Sequence, residues 1–510
     1  MERRTSHQVD FDVIIVGGGI AGITAARHLL SNEAESILVL EAQDYLGGRI
    51  KTINTEYGHI DLGAEWIHGQ TGNPLYKMAE DHNLTYKRGQ SDYISPSSAS
   101  IYDVHEFRTE TGDLIDRKTV CDVSRVMEDL YDMQTFEAPT ESQNAEYSLE
   151  DAIRMNEESC SSKKAVLKSM AEHFEDGFST YLETMKSKSS DKEIKHSLYK
   201  WRLKWELGDN CCSSLEDVAF PGRYLVYEGQ GITDLKEGFR SIFNLVEKDV
   251  PKHCIRLCTP VRQIKWNQNY CVVECNNGSV LNANHVIVTV PIGYLQKHHK
   301  TLFSPPLPRT KVEAIHNVGF SSLIKIFLVW STPFWEDSFN GVQFVWTTSI
   351  VPEAVQNRIE KQDLIPNKKS NGNPWYYDIT GFERVAGRPN MLCGWLVGEG
   401  ATLAKDLSDS DVVKTCTNLL QLFCGDFSIP EPNYIHQSNW GSNKYIGGGY
   451  SYVSTRTTDE DFGSLCESLP SNQNPRVIFA GEATSFNYYS TAHGAYQSGI
   501  RSAQDVLNTK

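Results

Sequence analysis

Gly17, Gly19 and Gly22 have the spacing of a turn that cradles a pyrophosphate. Gly17 permits the tight turn, Gly19 lets backbone N–H groups approach phosphate oxygens, and Gly22 lets the following helix pack closely on the preceding strand. Ala21 lies inside the same turn. Glu41 ends the next apolar run, Ile37–Leu40, where its carboxylate can accept hydrogen bonds from a ribose hydroxyl. The chemistry is dinucleotide binding, with FAD and NAD both open at this point. Lys325 is notable for another reason: it interrupts the apolar run Leu323–Leu328, and an ammonium buried there needs a partner. Read from that run alone, a lysine snorkelling from a strand edge is the plainer account.

These residues need elements to hold them. Phe11–Val16 reads as a strand that breaks directly into the glycines, and the stretch beyond reads as a helix whose N-terminus offers partial positive charge to phosphate. With the further clusters Gly47–Arg49 and Asp61–Gly63, the chain reads as one nucleotide-binding lobe to about His68. From about Gln90 to Cys212 it turns polar and rich in Ser, Glu and Lys, with helical periodicity at Ala165–Met170 and Tyr181–Met185. Strand signals return at Ile255–Leu257, Val261–Trp266, Tyr270–Glu274 and Ser279–Leu281, with Asn276–Gly278 as a hairpin turn, and again at His285–Val290 before Pro291. Ile324–Trp330 and Met391–Val397 predict long strands, and Asp409–Phe423 predicts a helix. Val477–Ala480 then leads into Gly481, Glu482 and a helix through Leu507, so the nucleotide-lobe character comes back at the tail. Such interleaving is unusual for NAD dehydrogenases and common in flavoproteins of this size.

The expected fold class is α/β. A Rossmann-like cofactor domain is assembled from residues 1–89, 213–300 and 430–510, and a substrate domain, a sheet flanked by helices, from 90–212 and 301–429.

With 510 residues the chain can bury a large core and form two or three domains. A net charge of −16 disfavours nucleic acid as a partner and can raise the local concentration of a cationic ligand. The twelve cysteines include no paired zinc-type spacing, so reduced thiols and no metal are expected. Met1–Ser6 has no apolar leader character, no uncharged stretch reaches membrane-helix length, and Leu507–Lys510 carries no Ser-Lys-Leu address. A cytosolic chain with no membrane partner is the expectation.

Gly17–Gly22, Glu41, Gly47–Arg49, Gly63–Gly69, Val286–Pro291, Trp440–Asn443, Phe479–Thr484 and Tyr489–Ala495 together resemble the flavin-containing amine oxidases, in order and across nearly the whole chain. Within that family the pattern is similar to the animal polyamine oxidases, the spermine and N1-acetylpolyamine oxidases. The resemblance implies FAD. It is expected to be non-covalent, because monoamine oxidases attach FAD through a cysteine near the C-terminal motif and there is none here between Gly481 and Gly499. Arg49 is implied on the pyrophosphate, where a guanidinium fork suits phosphate oxygens, and Glu482 against the ribityl or phosphate part. Gly63, Ala64, Trp66, Ile67, Trp440, Thr491 and Ala492 are implied along the cofactor, with Val261 contacting the adenine through its backbone.

The same resemblance reverses the local reading of Lys325. It implies a lysine that holds a water next to flavin N5 and assists flavin reoxidation or imine hydrolysis. His68 is implied in the substrate tunnel, where a neutral ring can hydrogen-bond an amine. Glu206 and Asp209 match a stretch carrying tunnel acids, although two solvated loop carboxylates are an equal reading of the sequence. Tyr450 and Trp440 are candidate aromatic walls, and Ser490 and Thr491 candidate substrate contacts. The implied reaction oxidises the carbon next to a secondary amine of spermine or an N1-acetylated polyamine with O2, giving an aldehyde, a shorter amine and hydrogen peroxide.

Two departures bear on the substrate. Ala492 stands where the family commonly has a second threonine, and Leu323 where acetylpolyamine oxidases carry asparagine, which weakens an acetyl-specific reading. A histone-lysine demethylase uses the same chemistry, but would need a partner-binding helical insertion and an extra N-terminal domain, for which Phe11 lies too near the start. A non-catalytic FAD-binding protein is the other alternative, and Lys325 argues against it.

Overall fold

The computed structural model describes residues 9–34, 36–86, 101–132, 168–185, 188–220, 231–267, 269–360, 369–370, 372–426, 428–471 and 474–509. The expected boundary at 89/90 and the Ala165–Leu167 part of the helical periodicity lie outside these residues.

Two sheets organise the chain. The first runs Ile255–Arg256, Ile37–Leu40, Phe11–Val16, Val280–Val288, Cys271–Cys275, Val261–Lys265, Phe303–Ser304, with Val477–Phe479 also paired to Val280–Val288. Phe11–Val16 lies parallel between Ile37–Leu40 and Val280–Val288, so it is covered on both edges. Its apolar run is buried for that reason, as expected of a parallel strand with helices on both faces. Helix Ile20–Ser31 packs on one face against helix Ala492–Leu507, and a Cβ at Gly499 would come within 2.3 Å of the Ala21 carbonyl. Glycine at that crossing is what lets the N-terminal and C-terminal helices touch.

The second sheet runs Tyr434–Gln437, Ile324–Val329, Arg388–Leu396, Ile379–Val385, Gly341–Val345, Glu106–Thr109. All six residues of Ile324–Val329 are buried, and the strand is paired on both sides. Lys325 therefore does not snorkel from an edge. Helices Met170–Thr184 and Ser189–Asp209 share a core with Phe107 and Val345 beside this sheet.

Sheet and core membership moves three of the expected divisions: Ala219–Phe220 pairs with Lys168–Ser169, and Leu215, Val218 and Phe220 pack in the core of the helices, past 212/213. Phe303–Ser304 pairs with Val261–Lys265, and Ala314, Ile315 and Val318 pack in the core of the first sheet, so the chain leaves that side near 318 rather than at 300. Tyr434–Gln437 pairs with Ile324–Val329, so the return comes after 437 rather than at 430. Strands this short carry no periodic signal, which is why none of these shifts shows in the sequence pattern. The two signals at Ser279–Leu281 and His285–Val290 belong largely to one strand, Val280–Val288; Asn282 and Asn284 interrupt its apolar pattern, and Asn284 donates to Asp12 at 3.1 Å.

Among the described residues the cysteines are free, no group of three His, Cys, Asp or Glu side chains is placed to hold a metal, and no helix is long and apolar enough to cross a membrane.

Candidate active site

The cradle forms where Phe11–Val16 ends. Gly17 sits at φ +114°, where a side chain is strained, and its N–H donates to Leu40 at 2.9 Å. A Cβ at Gly22 would lie 2.0 Å from the Gly17 carbonyl, so only hydrogen fits between helix and turn. At Gly19 a Cβ would meet nothing within 4 Å, so the cradle is open there. Gly19 caps helix Ile20–Ser31 with no side chain, and the first turn holds no acid. Its N–H groups and partial positive charge are left for an external anion.

Glu41 stands beside this opening, buried. It accepts from the Gly18 N–H at 2.6 Å and the Gln43 N–H at 2.8 Å. Burial pushes its pKa up, and these backbone bonds pull it down. The Glu41 carbonyl accepts from Thr259 at 2.8 Å, two residues before Val261, which brings the expected adenine contact to the same edge. Ala21 is buried in the helix behind.

Arg49 and Glu482 close the other end. Arg49 Nη1 donates to Glu482 Oε1 at 3.0 Å and to the Gly449 carbonyl at 2.7 Å. Its Nε and Nη2 have no partner among the described residues, which suits a guanidinium that also meets phosphate. Glu482 is 4% exposed, and its second oxygen accepts from Ser451 Oγ at 2.5 Å and the Ser490 N–H at 2.8 Å. Ser490, at φ +67°, donates its hydroxyl to the Ser451 carbonyl, so this candidate substrate contact is turned back into the turn that holds Glu482. Thr491 caps helix Ala492–Leu507, accepting from Gly494 at 3.0 Å, with Ala492 opening the helix against the core. The open Gly19 cradle, the uncapped helix and the half-used guanidinium fit a dinucleotide.

Gly63–Gly69 crosses from this end to the second sheet. A Cβ at Gly63 would meet the Arg49 carbonyl at 1.7 Å and Trp440 at 3.1 Å. Ala64 N–H donates to the same Arg49 carbonyl at 3.1 Å, and Trp440 Nε1 donates to Leu62 at 2.9 Å. Ile67 is buried, in a short strand paired with Ile232–Thr233.

Lys325 reaches this segment from below. It is 4% exposed, and its Nζ donates to Glu65 Oε2 at 2.5 Å, the Gly63 carbonyl at 2.9 Å and the Asp61 carbonyl at 3.2 Å. The ammonium also lies 5.5 Å from the Trp66 ring centre and 5.0 Å from that of Trp395. Those two rings stack at 5.7 Å. Trp66 Nε1 donates to Asp234 at 3.1 Å and Trp395 Nε1 to Glu383 at 3.0 Å. Burial pushes Asp61 and Glu383 each up to about 7, with Glu65 adding to both shifts. Burial lowers the pKa of His68, so its ring is neutral at pH 7. His493 is pushed down to about 3, by burial first and then by His68.

Glu206, Asp209 and Tyr450 lie on the helical side. Glu206 Oε1 meets Arg202 at 2.5 Å, and its Oε2 accepts from the Tyr131 hydroxyl. Asp209, the last residue of helix Ser189–Asp209, is exposed. Tyr450 donates to the Gly208 carbonyl at 2.7 Å, next to the Gly449 carbonyl that Arg49 uses. Both acids belong to helix Ser189–Asp209 rather than to a loop, and of the two only Glu206 is buried.

Sequence reasoning missed Glu65, Asp234, Glu383 and Trp395. Glu65 had a signal, an acid inside the Gly63–Gly69 motif. Trp395 faces Lys325 only through strand register, which no local pattern reveals.

Comparison with known proteins bears on this geometry. The family model for flavin containing amine oxidoreductase matches residues 20–507. The peroxisomal N(1)-acetyl-spermine/spermidine oxidase of Bos taurus is 31% identical over 515 residues, covering 97% of this chain and 94% of that protein. The Homo sapiens protein of the same description is 30% identical over 519 residues, with 97% and 94% covered. A redesigned putrescine oxidase shares the fold, with a TM-score of 0.64 at 17% identity, over 98% of this chain and 99% of that one.

Proposed function

The chain belongs to the flavin containing amine oxidoreductases, and from that premise we propose that it oxidises the carbon next to a secondary amine of spermine or an N1-acetylated polyamine. The observation that carries this reading is the buried ammonium of Lys325 beside the stacked Trp66 and Trp395, held by the segment that also bears His68. Gly17–Gly22, Glu41, Arg49 and Glu482 would hold FAD, which when bound would supply a two-electron acceptor that dioxygen can regenerate with release of hydrogen peroxide.

The residues act on the amine. Its reacting nitrogen must be neutral, because the lone pair supports departure of the neighbouring carbon's hydrogen with its electron pair. The Lys325 charge opposes a second cation nearby, which favours that neutral form. The neutral ring of His68 offers an acceptor or a donor to the same nitrogen. Trp66 and Trp395 exclude water from one side and offer apolar faces to methylene groups. Water then adds to the imine carbon, and the carbon–nitrogen bond breaks to give an aldehyde and a shorter amine.

The distal end carries less negative charge than its composition implies. Arg202 offsets Glu206, and Asp209 is exposed at the end of the same helix. That balance suits spermine and an acetylated end alike.

A peroxide-coupled assay of the FAD-loaded protein with spermine, N1-acetylspermine and a dimethyl-lysine peptide tests this. Turnover of either polyamine and not the peptide is expected. Turnover of the peptide alone would replace the reading with demethylation.

A further inference from the structure

The geometry points to Glu65 as a positioning residue that fixes Lys325 as a fully hydrogen-bonded ammonium. An ammonium has three N–H groups, and Lys325 spends them on Glu65 Oε2, the Gly63 carbonyl and the Asp61 carbonyl. Two of these acceptors are backbone carbonyls held by the Arg49–Gly63 packing, and the third is the carboxylate of the adjoining residue but one. The three converge because the chain leaves strand Gly58–Asp61 and bends at Leu62 and Gly63 over Lys325, bringing Glu65 to the same ammonium. No N–H remains for a further acceptor.

The other groups facing this pair do not replace Glu65. Asp61 turns its carboxyl away, to the Phe239 N–H at 3.1 Å and to Thr52. Glu383, from strand Ile379–Val385, is committed to Trp395, and Asp234 to Trp66. Burial pushes Glu383 and Asp61 up to about 7, and raises the Cys393 thiol of strand Arg388–Leu396 well above its ordinary value. Glu65 is the carboxylate in contact with the ammonium, so it is the charge that offsets the cost of burying that cation.

This inference builds on the proposed function, but its test does not require turnover. The holoenzyme, its Glu65→Gln variant and its Glu65→Asp variant are labelled with acetic anhydride across a pH series, and acylation of Lys325 is read by peptide mass spectrometry. Only the neutral amine reacts. In Glu65→Gln the pH of half-maximal labelling moves down by at least one unit, a tenfold gain in reactive amine below it, whereas Glu65→Asp stays close to wild type. The pH profile of anaerobic flavin reduction by spermine moves in the same direction. Coincident labelling curves for wild type and Glu65→Gln overturn the inference, as does an equal downward shift in Glu65→Asp. A labelling shift in protein whose flavin no amine reduces would leave Glu65 in this role and remove the polyamine reading.

Discussion

Arg49 and Glu482 lie 433 positions apart in the chain and meet at 3.0 Å, joining the Gly-rich N-terminal lobe to the turn before the last helix. Glu482 is nearly fully buried there and also accepts from Ser451 and the Ser490 backbone. The pair is thus both a structural clasp and one wall of the cofactor site. Replacing Arg49 by Ala strands the carboxylate. Because Arg49 keeps 24% of its side-chain exposure, the stability cost is about 2 kcal/mol, below the fully buried range. FAD affinity falls at least tenfold. Thermal melting of the apoprotein and flavin retained through gel filtration check the two effects separately.

Gly22 and Gly19 do different jobs within one motif. Gly22→Ala drives a Cβ into the Gly17 carbonyl, 2.0 Å away, and destabilises the apoprotein by about 1–3 kcal/mol. Gly19→Ala adds a methyl to open space, so the apoprotein melts as wild type does while FAD binding weakens. Denaturant unfolding without FAD, compared with flavin titration, reads the contrast.

Lys325→Met removes the ammonium and retains most of the side-chain volume. Turnover with spermine is expected to drop by about 100-fold or more, with FAD content unchanged. Steady-state rates normalised to bound flavin measure it.

Acid sensitivity follows from buried neutral histidines. His105 is pushed down to about 4 by burial, against an ordinary value of 6.5. The unfolded chain takes up that proton below about pH 6.5 and the folded one does not, so this stability is complete above 6.5 and is lost as pH falls towards 4. The limit is roughly 3 kcal/mol. Asp61 and Glu383, raised to about 7, act in the opposite sense over an overlapping window, losing stability as pH rises from their ordinary values towards 7. The readout is therefore the difference between wild type and His105→Gln. The variant's melting temperature should decline less steeply from pH 6.5 to 4.

The cradle was legible because its physics is local. Strand, turn and helix lie within a few residues of Gly17–Gly22, and each glycine has a steric reason that spacing alone conveys. Lys325 was not legible in that way. Its apolar run reads as an edge strand with a snorkelling lysine, and only pairing on both sides, with the counter-ion arriving from Glu65, makes the burial tolerable. Glu206 carries the same lesson: the sequence left a tunnel acid and a solvated loop carboxylate equally open, and its partners Arg202 and Tyr131 meet it through helical spacing and tertiary packing. The divisions near 318 and 437 depend on strands of two and four residues, too short to impose a period.

The central claim concerns which amine this protein oxidises. Rapid anaerobic mixing of the FAD-loaded protein with spermine, and separately with N1-acetylspermine, followed at the oxidised flavin band, tests it most directly. The band is expected to bleach in a concentration-dependent phase with at least one of them and to return on admitting oxygen. Flavin that stays oxidised with both polyamines would contradict the account.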